Sequence, residues 1–315
     1  MRLLFVADGR SPIALNWISH FTAQGHEVHL ASTYPCRVSL ELASLHIVPT
    51  AFSEAAGKES GAGSSKDRKR SFLRGAASVR ARTALRQWLG LLTIPKGARQ
   101  LQEIVDSIHP DLVHAMRIPF EGMLASRLRL EQPLLLSIWG NDFTLHARSN
   151  PWMATATRRA LEAAGALHTD CYRDQRLAQS WGFSSQKPCV VLPGAGGIQL
   201  DTFYPPEIPF AGPVVFNPRG IRAYVRNDTF FSSIPLILER KPDARFLCAG
   251  MYAEPQALRW LDEYDIAESV ELLPKQTRNE MADIFRRSQI TVSPATHDGT
   301  PNTLLEALAC GSFPV

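Results

Sequence analysis

The sequence lacks several features that would assign it quickly to a class. No run of about eighteen apolar residues occurs, so no transmembrane helix is predicted. The five cysteines are scattered and never form a Cys-x-x-Cys pair, so neither a zinc site nor a disulfide framework is expected. Such cysteine usage is typical of a reducing cytoplasm, which is the predicted location. The first apolar segment is not followed by Gly-x-Gly-x-x-Gly, which argues against a nicotinamide or flavin enzyme.

Charge is distributed unevenly along the chain. Residues 1–200 carry a net charge of +8 and residues 201–315 a net charge of −4. A basic first half indicates an anionic partner. Nucleic acid is not predicted, because the sequence contains no zinc-finger spacing, no aromatic RNA-binding motif and no basic recognition helix.

An arginine-rich stretch, residues 66–86, follows a polar Gly/Ser-rich segment and leads into Trp88-Leu89 and Leu91-Leu92. A basic amphipathic segment can lie on an anionic membrane, so peripheral contact at the inner face of the membrane is one prediction. The alternative is a solvated loop that leads into a packed helix.

Short apolar segments alternate with helix-period segments along the whole chain, which predicts α/β layers on mostly parallel sheets. The expected organisation is a first domain over 1–195, a turn-rich linker over 196–212 and a second domain over 213–315. Among the predicted helices of the first domain are 82–108, broken near Pro95, and 119–130.

The end of the chain carries the most specific pattern. A short apolar strand ends near Val292, Thr300 is the predicted N-cap of the next helix, and Gly311 closes that helix. The amides of its first turn, Asn302, Thr303 and Leu304, have no partner inside a helix, so they form an anion site. Two carboxylates, Asp298 and Glu306, flank this turn and suit a sugar attached to a nucleoside diphosphate.

The pattern P-x3-D-G-x-P-x4-E-A-x-A-C-G over residues 294–311 resembles the signature of the retaining, GT-B-fold glycosyltransferases of family 4. Asp298 stands where that family has the first of two glutamates, and Glu306 matches the second. The resemblance implies two facing Rossmann-like domains and a metal-independent transfer from a nucleoside-diphosphate sugar, with no further cofactor. Because few strands precede Val315, the second domain is expected to be incomplete.

The same resemblance implies roles for further residues of the second domain. Arg219 matches the arginine that grips the donor diphosphate, and Arg222 or Arg226 would replace the family's lysine. Asp298, with Gly299 beside it, would hold the sugar ring, and Glu306 the ribose hydroxyls. The nucleobase would be held by backbone groups near Leu273.

In the first domain, Pro110–Arg117 resembles the family's P-D-V-V-H-x-H, with Met116 in place of the second histidine. His114 is therefore predicted to be a core residue. Trp139-Gly140-Asn141-Asp142 resembles H-G-x-D, so Asp142 could hold a hydroxyl in the cleft, near Arg117 and Trp139. Gly194, Gly196 and Gly197 match the family's P-N-G-V-D turn loosely and are expected to be linker glycines.

The predicted function is retaining glycosyl transfer to a glycan, lipid-linked or small-molecule hydroxyl acceptor. Two alternatives stay open. Another GT-B enzyme, such as a nucleotide-sugar 2-epimerase, would need carboxylates and histidines placed for proton transfer. A non-catalytic sugar or nucleotide binder is compatible with the missing histidines and with Asp298 in place of glutamate.

Overall fold

The computed structural model describes residues 1–50, 87–193, 197–208, 212–222 and 224–315. These residues divide into two compact units, Met1–Gly197 and Ile198–Val315, which are called the first and the second domain below. The arginine-rich stretch 66–86, Gly194 and Gly196 lie outside the described residues. No helix in the described ranges is long and apolar enough to cross a bilayer.

The first domain contains a parallel sheet of seven strands in the order β3-β2-β1-β4-β5-β6-β7. This order is that of a doubly wound sheet, in which ligands bind outside the carboxyl ends of the strands. The strands are β1 (Arg2–Ala7), β2 (Glu27–Ser32), β3 (Ser44–Ile47), β4 (Leu112–Ala115), β5 (Leu134–Ile138), β6 (Ala166–Thr169) and β7 (Cys189–Val191). The α-helices of more than one turn that lie wholly within the described residues are α1 (Pro12–Ala23), α2 (Ile94–Ile108), α3 (Pro151–Ala163) and α4 (Tyr172–Ser180).

Local sequence explains where these elements begin. The Ser11 side chain accepts a hydrogen bond from the Ala14 amide at 3.3 Å, and Pro12 occupies the first turn of α1. The Asn150 side chain caps α3 in the same way, through the Met153 amide at 2.9 Å. After Arg2, strand β1 is apolar and buried, as expected for a central parallel strand.

The predicted helix over 119–130 is wrong. Pro119 has extended backbone angles and Phe120 has a φ of 69°, so the chain makes an irregular turn over Ile118–Gly122. Within the predicted range 119–130, only Met123–Ala125 is α-helical. Pro119 has no backbone N–H to donate in a helix, and the positive φ of Phe120 takes the chain out of the helical conformation. The predicted break near Pro95 is confirmed in part, because a 3₁₀ turn over Gly90–Thr93 precedes α2.

The second domain contains a parallel five-stranded sheet in the order β10-β9-β8-β11-β12. Both sheets are parallel and flanked by helices, which confirms the predicted α/β class. The strands are β8 (Val214–Asn217), β9 (Arg245–Cys248), β10 (Val270–Leu272), β11 (Ile290–Thr291) and β12 (Phe313–Pro314). The helices are α5 (Asn227–Leu238), α6 (Pro255–Tyr264), α7 (Arg278–Arg287) and α8 (Asn302–Ala309).

Helix α8 begins one residue later than predicted. Its N-cap is Pro301 rather than Thr300, and no side chain caps it. Gly311 follows the helix with a φ of 77°, a conformation that favours glycine, as the sequence predicted. Apolar residues of α8 and α7 pack together below the sheet, with Ala307, Cys310, Ala282 and Phe285 fully buried. This packing holds the first turn of α8 at the carboxyl end of β11.

Candidate functional site

The candidate site lies at the carboxyl ends of β8 and β11, which are neighbouring parallel strands. The loops that follow them are joined by backbone hydrogen bonds. The Arg226 amide donates to Pro294 O at 2.8 Å, and the Thr296 amide donates to Tyr224 O at 2.9 Å. The loop that carries Arg219 and the loop that carries Asp298 therefore form one unit.

Arg219 and Asp298 form an ion pair through Nη2 and Oδ2. The arginine side chain is 11% exposed and the carboxylate 21%. The sequence assigned both residues to the donor site, and the structure brings them together. A cation beside a partly exposed carboxylate can serve a ligand that has both an anionic group and hydroxyls.

Two buried asparagines that the sequence analysis missed hold the Arg219 loop. Asn217 Oδ1 accepts from the Arg219 amide at 3.1 Å, and its Nδ2 donates to Asn227 Oδ1 at 2.9 Å. Asn227 Nδ2 donates to Gly220 O at 2.8 Å. Gly220 has a φ of 63°, so the turn after β8 also depends on glycine. A polar residue at the end of an apolar strand is the signal that could have identified Asn217.

Glu306 of α8 faces Arg278 of α7, with 3.7 Å between Oε1 and Nη2. Burial raises the pKa of the Glu306 carboxyl, and the nearby Arg278 partly offsets this effect. Arg278 was also missed by the sequence analysis. It lies in the first turn of α7 because Thr277 and Glu280 form a capping box there.

The first turn of α8 offers fewer amides than predicted. The Leu304 amide donates to Pro301 O at 3.0 Å, so it is already used within the turn. Among the backbone hydrogen bonds of the described residues, none uses the Asn302 or the Thr303 amide. Thr303 Oγ1 is buried next to them without a partner. These two amides and the hydroxyl remain as donors for a ligand.

Some buried polar side-chain atoms around the site lack a hydrogen-bond partner within the protein. Among the described residues of the second domain there are four: Arg219 Nε, Arg278 Nε, Ser293 Oγ and Thr303 Oγ1. Each belongs to a segment already placed around the site: the loops after β8 and β11, and the first turns of α7 and α8. Buried groups without partners are costly, so these four atoms are available to water or to a polar ligand.

The remaining predicted donor residues lie at the edge of this arrangement or inside the fold. Arg226 is exposed and paired with Asp228 at 2.8 Å. Arg222 donates to the Tyr224 hydroxyl at 3.0 Å. These contacts do not distinguish the two arginines as diphosphate ligands, and the choice between them stays a prediction.

Leu273 uses its backbone within the domain. Its amide donates to Cys248 O at 2.8 Å, and its carbonyl accepts from the Met251 and Tyr252 amides at 3.0 Å each. A nucleobase contact through the Leu273 amide would have to replace the bond from this amide to Cys248 O. Base recognition at this position stays a prediction.

Asp142 of the first domain is completely buried and fully bonded. Its Oδ1 accepts from Arg117 Nη2 at 2.8 Å, and its Oδ2 accepts from the Ile118 and Trp139 amides at 3.1 and 3.2 Å. Burial raises the pKa of this carboxyl, while Arg117 lowers it. This geometry favours a positioning role for Asp142, because a hydroxyl could reach it only by displacing one of these donors.

His114 is a core residue, as predicted. It is 2% exposed, and its Nε2 lies 2.7 Å from Ser137 Oγ, which in turn lies 3.0 Å from His168 Nδ1. Burial lowers the pKa of His114 to about 3. The imidazole is therefore neutral near pH 7 and takes no part as a charged group.

One group of potential metal ligands occurs among the described residues. Atoms of Asp170, Cys171 and Asp174 lie within 4.8 Å of one another at the start of α4. Arg173 already pairs with Asp174 at 2.9 Å, and burial raises the pKa of the Cys171 thiol to about 11. A helix N-terminus and an arginine both disfavour a further cation, so we assign no metal here.

Residues 2–170 match the family described as "Glycosyl transferase 4-like", and residues 214–315 match "Glycosyl transferases group 1". The first match covers more than half of the chain. The chain belongs to the glycosyl transferase 4-like family. Glycosyl transfer is thus its general activity. No curated protein matches the chain in sequence.

Several solved structures share the fold of this glycosyltransferase at low sequence identity. Sucrose-phosphate synthase from Thermosynechococcus elongatus has a TM-score of 0.71 at 14% identity, covering 100% of this chain and 80% of its own. A UDP-forming α,α-trehalose-phosphate synthase from Burkholderia xenovorans has a TM-score of 0.68 at 12% identity, and the match covers 99% of this chain and 81% of the synthase. A UDP-N-acetylglucosamine 2-epimerase has a TM-score of 0.55 at 9% identity, and the match covers 93% of this chain and 74% of the epimerase. These similarities confirm the predicted GT-B fold and say nothing about substrate.

Proposed function

We propose that this glycosyltransferase moves a sugar, with retention of configuration, from a nucleoside diphosphate to a hydroxyl acceptor, and that it needs no divalent metal. The observation that carries the proposal is the cluster of four unpartnered buried atoms around the Arg219–Asp298 and Arg278–Glu306 pairs. Cationic donors and amides on one side and carboxylates on the other match a diphosphate joined to sugar hydroxyls.

The donor would lie across the carboxyl ends of β8 and β11. Arg219 and the amides of Asn302 and Thr303 would bind the diphosphate, which develops negative charge when the glycosidic bond breaks. Glu306 would accept hydrogen bonds from the ribose hydroxyls, with Arg278 keeping its carboxyl ionised. Asp298 would accept from hydroxyls of the transferred sugar.

The carboxylate assigned to the transferred sugar, Asp298, is ion-paired with Arg219 rather than free to attack the anomeric carbon, which favours a front-face reaction. The bond between the anomeric carbon and the phosphate oxygen breaks while the acceptor oxygen bonds to the same carbon. The acceptor proton passes to the leaving phosphate oxygen, so no enzymic nucleophile is required. Fixed charges stabilise the leaving group without reorganisation during the reaction.

Donor binding without metal is tested by calorimetry with UDP and GDP in the presence of a chelator. We expect binding of one of the two under these conditions. Binding that develops only after Mn²⁺ or Mg²⁺ is added would contradict the metal-independent site. A thermal-shift screen of UDP-, GDP- and ADP-sugars then identifies the donor, since a ligand that binds the folded state stabilises it.

Catalysis is tested separately, by following donor hydrolysis and transfer with the donor found in that screen. A retaining enzyme gives a product with the anomeric configuration of the donor. Binding without any hydrolysis or transfer would favour the non-catalytic binder, and an isomerised donor sugar would favour the epimerase.

A further inference from the structure

A groove on the first domain is lined mostly by apolar side chains, with two arginines among them. Its volume is about 330 Å³, and it lies between the 3₁₀ turn over Gly90–Thr93, the start of α2 and helix α3. The side chains that matter below are Trp88, Leu92, Met123, Trp152, Arg127 and Arg159. None of them belongs to the donor site described above.

The groove is bordered by large apolar residues that face solvent. Trp88 is 45% exposed, Leu92 is 71% exposed and Trp152 is 57% exposed. The two tryptophan rings meet edge to face with 5.4 Å between their centroids. Single exposed apolar residues are common, whereas a contiguous group marks a surface that binds something.

Positive charge surrounds these apolar residues. Arg127 and Arg159 line the groove itself. Arg127 also lines a neighbouring groove together with Arg99 and Arg129, where Asp106 is the only acid among the described lining residues. Two arginines thus line the groove of the exposed tryptophans, and Arg99 and Arg129 line the adjoining groove, which makes four arginines on this face. Tryptophan prefers the boundary between lipid headgroups and acyl chains, and arginine is attracted to anionic headgroups.

We propose that this face, the Trp88–Trp152 groove with its four arginines, docks on the surface of an anionic lipid bilayer. Trp88, Leu92 and Trp152 insert at the headgroup boundary, and the arginines contact lipid phosphates. Shallow insertion of an apolar face flanked by basic residues is sufficient for reversible peripheral binding. Charge complementarity favours this occupant over a second copy of the chain, whose matching face would be equally basic.

Bilayer binding does not depend on the proposed donor chemistry. The arginine-rich stretch 66–86, which lies outside the described residues, precedes the groove in sequence, so its charge could add to the attraction. The test must therefore distinguish the contribution of the groove to bilayer binding from that of residues 66–86. Substitutions confined to described residues of the groove do so.

The experiment is co-sedimentation of the full chain with vesicles of phosphatidylcholine containing increasing fractions of phosphatidylglycerol, without nucleotide sugar. We expect binding that rises with phosphatidylglycerol and falls with salt. Arg127→Gln and Arg159→Gln should each weaken binding roughly fivefold. Trp152→Ala and Leu92→Ser should weaken it at every salt concentration, because apolar insertion is not screened.

Matched controls are Arg259→Gln, Leu236→Ser and Tyr252→Ala, which alter comparably exposed residues of the second domain. These variants should bind vesicles like the unaltered chain. Thermal melting shows whether the groove variants remain folded. Three results would overturn the proposal: binding independent of phosphatidylglycerol, binding unchanged in all groove variants, or a dimer in solution that the groove variants dissociate.

Discussion

Each domain places an arginine–aspartate pair at the carboxyl edge of its sheet, and the two pairs differ in which partner is buried. In the first domain, Asp142 is fully buried and Arg117 is 27% exposed. In the second domain, Arg219 is 11% exposed and Asp298 is 21% exposed. Asp142 also accepts two backbone amides, whereas Arg219 retains a buried Nε without a partner.

The difference separates a structural pair from one that is ready for a ligand. The amides of Trp139 and Ile118 tie Asp142 to two loops, so this carboxylate holds the ends of β4 and β5 in place. In the Arg219–Asp298 pair, the Nε of Arg219 can still donate a hydrogen bond to a ligand, and the Asp298 carboxylate is partly exposed. Similar residues at equivalent sheet edges therefore indicate different functions only once burial and bonding are known.

The largest expected effect is on stability, from Asp142→Ala. Removing one partner of a buried ion pair leaves the other uncompensated, which costs about 3 to 5 kcal/mol. Denaturant unfolding, followed by the fluorescence of the first-domain tryptophans, measures this loss. Asp298→Ala is the matched variant and should lower the free energy of unfolding clearly less. Equal losses in the two variants would contradict the distinction between the two pairs.

Donor affinity should respond next, through Arg219→Ala. Loss of a charge-assisted contact costs about 1.5–3 kcal/mol, roughly ten- to a hundredfold in dissociation constant. Glu306→Gln should weaken binding within the same range. Calorimetry with the nucleoside diphosphate measures both. Arg259→Ala is the control, since this exposed arginine of α6 bonds to Gln256 away from the site, and an equal loss in that variant would show that removing positive charge anywhere weakens binding.

Asp298→Asn should lower turnover more than affinity, because this carboxylate is assigned to the transferred sugar rather than to the nucleotide. A contact that strengthens only in the transition state changes kcat, and its loss corresponds to roughly tenfold or more. Steady-state kinetics with the donor that stabilises the protein separate kcat from KM. Normal turnover in this variant would remove Asp298 from the site.

The smallest expected effect is a shift in pH dependence. Because burial raises the pKa of Glu306, its carboxyl gains a proton at a higher pH than an ordinary glutamate, and nucleotide affinity should fall as pH decreases toward that pKa. Arg278 lowers this pKa, so Arg278→Ala should move the fall to still higher pH. Calorimetry from about pH 7 to about pH 5 measures the shift.

Glu306→Gln controls for other titrating groups, because this variant should lose the pH dependence of affinity. An unchanged pH profile in both variants would contradict the assignment of Glu306 to the ribose hydroxyls.

The elements that depend on local pattern could be read from the amino-acid sequence. Continuous apolar segments predicted the parallel strands, and Gly311 predicted the end of α8. The pattern over residues 294–311 predicted a loop that carries Asp298 followed by a helix that carries Glu306, and the structure has this order. These features depend on residues that are close together in the chain, where turn, cap and burial preferences act directly.

Other features arise only when distant segments meet in the folded structure. Arg278 joins Glu306 across two helices, and Asn217 holds the Arg219 loop through Asn227. Burial converted Asp142 from a predicted hydroxyl ligand into a loop anchor, and Pro119 with Phe120 replaced a predicted helix by a turn. Tertiary packing decided these points, because solvent exposure and hydrogen-bond satisfaction are properties of the assembled domain and leave no fixed spacing in the sequence.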